Sequence, residues 1–160
     1  MNSIEKILTQ VHESFGQSQP NGALLGWDED RFMESVKRIC RDSKVVNNTD
    51  FNYSYCNCFD IESNLNHDEH DFVVTFKTSL VADAYSLHVT RYSKNRRSGK
   101  VVQEDECDEL LSVVANLREF AHQQGLREIS CAEHDIVVAG VSLELSDVAT
   151  LGKCLFDDFE

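Results

Sequence analysis

No apolar run in this sequence is long enough to cross a membrane. The longest, Ile136–Leu143, includes Gly140 and Ser142 and falls far short of the roughly 20 residues a spanning helix needs. The opening Met-Asn-Ser-Ile-Glu has no basic stretch followed by an apolar block. The sequence therefore predicts no secretory signal and a cytoplasmic protein. No Cys-x-x-Cys pair occurs among the six cysteines, Cys40, Cys56, Cys58, Cys107, Cys131 and Cys154. In a reducing compartment these read as small buried hydrophobes rather than disulfide partners. A Gly-x-Ser-x-Gly elbow, a Gly-rich phosphate loop and a dinucleotide fingerprint are all missing, so the familiar hydrolase and nucleotide-binding signatures have no footing. No repeat, low-complexity tract or linker divides the 160 residues, a length that suits one domain.

Lys and Arg are absent from 45–76, which hold Asp50, Asp60, Glu62, Asp68, Glu69 and Asp71. Residues 104–160 hold 14 acids and 3 bases, a net −11, whereas 77–103 set six bases against Asp83 for a net +5. The whole chain carries −13. Such a field repels nucleic acid and anionic membrane and attracts a basic partner. It also confers solubility without any partner. With 41% hydrophobic residues the chain is nonetheless rich enough in apolar side chains to fold around a core.

Periodicity predicts the elements. Ile4, Ile7, Leu8, Val11 and Phe15 recur at helical spacing, with Ser3 as cap and Gly16 as stop. The only proline, Pro20, lies in a loop over 16–26. A second helix is predicted over 29–41, capped by Asp28, with Trp27 folding onto Phe32 as a hydrophobic staple. Residues 51–61 alternate with period two, Phe51, Tyr53, Tyr55, Phe59 and Ile61 sharing one face. Residues 72–80 and 85–93 read as an antiparallel hairpin. Cys107, Leu110, Leu111, Val114, Leu117, Phe120 and Ala121 mark a helix over 105–124 that acids open and Gly125 closes. A second hairpin over 126–131 and 136–145, and a last helix capped by Ser146, complete the order α-α-β-β-β-α-β-β-α. The expected fold is α+β: an antiparallel sheet of about five strands with helices packed on one face.

Three constellations could carry chemistry. Cys56-x-Cys58 and His67-Asp-Glu-His70 offer four N/S ligands suited to tetrahedral zinc, although Cys-x-Cys places its sulfurs less well for one ion than Cys-x-x-Cys. The same thiols could pair with His88 or His134 as a nucleophile and base, a combination that six cysteines and six histidines make cheap. Arg91, Lys94, Arg96, Arg97 and Lys100 form one basic island, which either grips an anion or neutralises the acids at 104–109. Against these stands the acidic segment Asp60, Glu62, Asp68, Glu69 and Asp71, which would steer and hold a partner with a basic cleft.

In size, acidity and lack of a catalytic signature the chain resembles bacterial toxin-immunity proteins, which cover a toxin's active site. In element order it is also similar to the small acidic chaperones of type III secretion, which implies a homodimer that holds an extended effector. Both likenesses are of class, so no binding residue is carried over. The sequence thus predicts a non-enzymatic binding protein without cofactor that sequesters a basic protein partner.

Overall fold

The structure, a computed structural model, describes residues 3–16, 18–62, 70–93, 98–144 and 146–157. Ser3 accepts the Lys6 amide and starts helix α1, Ile4–Ser14, whose apolar stripe buries Ile7 and Val11. Helix α2 is a single turn, Gly22–Leu25, and α3 runs over Met33–Ile39. Four strands follow: β1 (Lys44–Asn47), β2 (Cys56–Glu62), β3 (His70–Ser79) and β4 (Ala84–Ser93). Strand β5 is Gly99–Val102, and a 3-10 turn at Glu104–Glu106 leads into the long helix α4, Asp108–Gln123. Gly125, in the left-handed region at φ 79°, closes that helix. The chain ends with β6 (Arg127–Glu128), α5 (Cys131–His134) and α6 (Leu151–Leu155). No helix among the described residues is long and apolar enough to cross a membrane.

The α+β class holds, but the sheet is mixed rather than purely antiparallel. Five strands lie in sequence order, each antiparallel to the next, while β6 joins the outer edge of β4 in parallel. Helix α4 carries the chain back along the sheet, so the strand that leaves it runs the way β4 runs.

The helices also do not share one face. On one face Phe59, Ile61, Val74, Phe76, Tyr85 and Val89 pack against Val36 of α3 and Leu110, Val114 and Leu117 of α4. A second cluster joins Ile7 and Val11 of α1 to Leu151, Cys154 and Leu155 of α6 at the end of the sheet marked by Tyr55, Cys56 and Ala84. Cys56 belongs to the face opposite Phe59 and Ile61 by strand alternation. That face is therefore apolar at one end, and α1 and α6 bury their stripes there.

The second helix starts four residues later than its periodicity suggests. Asp28 accepts the Asp30 amide at 2.9 Å in a local turn, and Asn57 Nδ2 donates to the carbonyls of Asp28 and Glu29. These contacts hold 28–32 out of helical conformation, and Phe32 takes φ 70°. Trp27 consequently packs edge-on against Phe51, and Phe32 against Phe120, instead of against each other. Residues 51–54 form a turn held by Asp50, so β2 begins at Cys56 and Tyr53 is 55% exposed. The hairpin expected over 126–145 does not form. A capping box between Ser130 and Glu133 starts α5 after only two residues of β6, and Val137 makes one isolated bridge to Thr150. Thr150, not Ser146, caps the last helix.

Candidate functional site

Two local sequence events leave a gap in the sheet. Strand β5 ends at Val102, where the acids Glu104, Asp105 and Glu106 wind into the 3-10 turn. Strand β6 ends at Glu128 because the Ser130 capping box turns the chain into α5. Since β5 pairs with residues 89–92 of β4 and β6 with 84–85, residues 86–88 are bordered by neither strand on that edge. A groove of about 860 Å³ opens there.

The groove has two chemically different walls. One belongs to the α4 side: Glu104, Asp105, Leu111 and Glu128, Glu128 lying opposite Tyr85 in the register. The other continues the opposite face of the sheet: Ser86 and His88 alternate with Leu87, Val101 pairs with Thr90, and Cys131 stands at the rim. Leu111 and Val101 are 39% and 56% exposed, so each wall offers open apolar surface. The acidic wall is braced by Arg118, whose Nη2 donates to Glu104 at 2.6 Å and whose Nε donates to Glu128 at 2.7 Å. Glu104 first, and then Glu128, hold the Arg118 pKa above its ordinary value against the opposing effect of burial. Three carboxylates against one guanidinium leave this wall at −2, and Asp105 has no ion-pair partner among the described residues. Ser86 is only 4% exposed, and its Oγ has no hydrogen-bond partner among the described residues. A buried hydroxyl in that condition is uncommon, because the unmade bond costs free energy.

The acidic segment expected to hold a partner is only partly described: Asp68 and Glu69 lie outside the described residues. Asp60, Glu62 and Asp71 share one face of the sheet, through positions 60 and 62 of β2 and 71 of β3. Asp60 accepts the Thr75 hydroxyl at 2.6 Å and a short hydrogen bond from Asn48. Glu62 pairs with Lys44 at 3.6 Å. The first two carboxylates therefore have partners inside the fold.

The zinc set is split by the register. Cys58 pairs with Lys77, seven residues along β3 from His70, and the parity of the register puts Cys58 and His70 on opposite faces. At ~3.3 Å per residue that separates them by ~23 Å. His67 lies outside the described residues, and among those described no three His, Cys, Asp or Glu side chains are grouped to hold a metal. Cys56 is almost wholly buried, and that burial raises its thiol pKa far above the ordinary value, the reverse of what a thiolate nucleophile needs. His134 stacks on Phe156 at 5.5 Å, and His88 sits opposite Thr75. Of the basic island, Arg91 donates to Glu106 at 2.9 Å, Lys100 faces Arg91 across the β4–β5 pair, and Lys94, Arg96 and Arg97 lie outside the described residues.

Sequence reasoning found the acids before α4 but missed Ser86 and Arg118. The alternation Tyr85-Ser86-Leu87-His88-Val89 marks Ser86 for the polar face, yet nothing local says that the strand edge beside it is open. Arg118 is one of only three bases between 104 and 160, and that scarcity was the signal that it serves several acids. Compared with protein-family models, curated proteins and solved structures, the chain matches none.

Proposed function

We propose that this protein is a non-enzymatic binding protein that sequesters a basic protein partner. The observation that carries the reading is the negative charge left over after the fold has paired its own groups. Of the three bases in 104–160, Arg118 binds Glu104 and Glu128, and Arg127 binds Glu133 at 2.8 Å. Arg91 reaches in from β4 to Glu106. Fourteen acids in this stretch far outnumber those contacts, so a negative surplus remains to steer a cationic partner toward it.

The groove beside β4 offers that partner both charge and open apolar surface, since Asp105 has no ion-pair partner among the described residues and Leu111 and Val101 are exposed. Covering a toxin or another basic enzyme is a role such a surface suits. Pull-down from the native host at low and moderate salt tests the reading. A basic protein should be retained at low salt and released as screening rises. Retention of no basic protein under either condition ends it.

A further inference from the structure

Resting on that sequestering role, we infer that the groove at the open edge of β4 receives an extended segment of the partner in which cationic side chains alternate with apolar ones. Three features converge on this occupant. The uncovered stretch of β4 is three residues, 86–88, between the ends of the β5 and β6 pairings. At ~3.3 Å per residue it accepts ~10 Å of extended chain laid edge to edge.

An extended chain sends successive side chains to opposite sides, and here the two sides differ. Glu104, Asp105 and Glu128 lie on the α4 side, while Val101 and Ser86 lie on the other. Alternation of Lys or Arg with Val-like residues satisfies both walls at once. Leu111 covers the aliphatic stem of a cation whose head reaches Asp105. The buried hydroxyl of Ser86, unpartnered among the described residues, meets the polar atom it lacks in the incoming chain.

The probe is a fluorescein-labelled peptide of sequence Lys-Val-Lys-Val-Lys-Val, titrated with the full chain by fluorescence anisotropy at low salt. A block peptide, Lys-Lys-Lys-Val-Val-Val, has the same composition without the alternation. The alternating peptide should bind at least tenfold more tightly than the block peptide. Asp105→Lys and Leu111→Asp should each weaken it about tenfold or more. Glu13→Lys, the same charge change at an exposed position of α1 outside the groove lining, should leave it within twofold. Ser86→Ala should weaken binding roughly threefold to tenfold, the range of one net hydrogen bond, without lowering the melting temperature of the free protein. Equal binding of the two peptides, an effect of Glu13→Lys as large as that of Asp105→Lys, or wild-type affinity in the Ser86 and Leu111 variants would each overturn the inference.

The pull-down separates this failure from failure of the parent reading. A basic host protein retained equally by wild type, Asp105→Lys and Leu111→Asp defeats the groove and spares sequestration. No basic protein retained, with the peptide still sensitive to those variants, defeats sequestration and spares the groove.

Discussion

Replacing Asn57 with leucine should unfold this protein far more readily than its size suggests. Asn57 lies on the same face of β2 as Phe59 and is 0% exposed. It accepts from Arg31 Nε at 2.9 Å and donates to the carbonyls of Asp28 at 2.9 Å and Glu29 at 3.2 Å. Arg31 in turn donates through Nη2 to the Thr78 carbonyl at 3.1 Å and the Ser79 carbonyl at 2.9 Å. Burial lowers the Arg31 pKa from its ordinary value, and these acceptors replace the hydrogen bonds that the guanidinium loses with water. Leucine strands the charged Arg31 Nε donor, while the Asp28 carbonyl keeps the Arg31 amide and the Glu29 carbonyl keeps Asn47 Nδ2. The unpaired charged donor sets the expected loss at ~1.5–3 kcal/mol. Urea unfolding followed through the single tryptophan, Trp27, reads it directly. With a slope of ~1.5 kcal/mol/M, the midpoint should fall by about 1–2 M. Arg31→Leu in the same background should cost less than the two single losses added together, since both remove one network. A midpoint shift below about 0.5 M, or strict additivity, would refute the network's role in holding residues 28–32 against the sheet.

Gly152→Ala should loosen the packing of α6 against α5, because a Cβ there would stand 2.5 Å from His134 Nδ1. We expect a loss of ~1–3 kcal/mol by thermal melting, largely recovered by adding His134→Ala; no recovery would place the strain elsewhere. Glu133 has its pKa held below the ordinary 4.5, chiefly by the Arg127 hydrogen bond, with burial opposing. A carboxylate with a depressed folded-state pKa stabilises the fold fully above its unfolded value and loses that contribution as pH falls through the folded one. Glu133→Gln should therefore melt lower than wild type at neutral pH, and the gap should close below about pH 4.5; a gap that persists at low pH contradicts the assignment. Thiol labelling under native conditions should modify Cys131 first, the exposed cysteine. Cys40, pushed up to about 12 by burial, and the buried Cys56, Cys107 and Cys154 should react only on unfolding. Rapid native labelling of those four would mean that the core opens.

Legibility from sequence followed how local each signal was. The apolar stripes of α1 and α4 and the hairpin β3–β4 were readable because their periods are long and their caps, Ser3 and Gly125, are adjacent in the chain. Strands β1 and β5, each with two valines, are too short to announce a period. They exist because longer strands supply their partners. The α3 boundary and the Asn57–Arg31 network were hidden for the opposite reason: a polar residue on a core face makes sense only once its partner 26 residues away is in place. The groove was equally hidden. It is the space between the ends of β5 and β6 on one edge of β4, and no stretch of sequence spells out a gap.

The most direct test is to map where a cationic chain touches the surface. In amide shift perturbations on adding the Lys-Val peptide to isotope-labelled protein, the account predicts changes gathered at Leu87, Val101, Asp105, Leu111 and Ile129. Changes centred on Asp60, Glu62 and Asp71 instead, or scattered without focus, would contradict it.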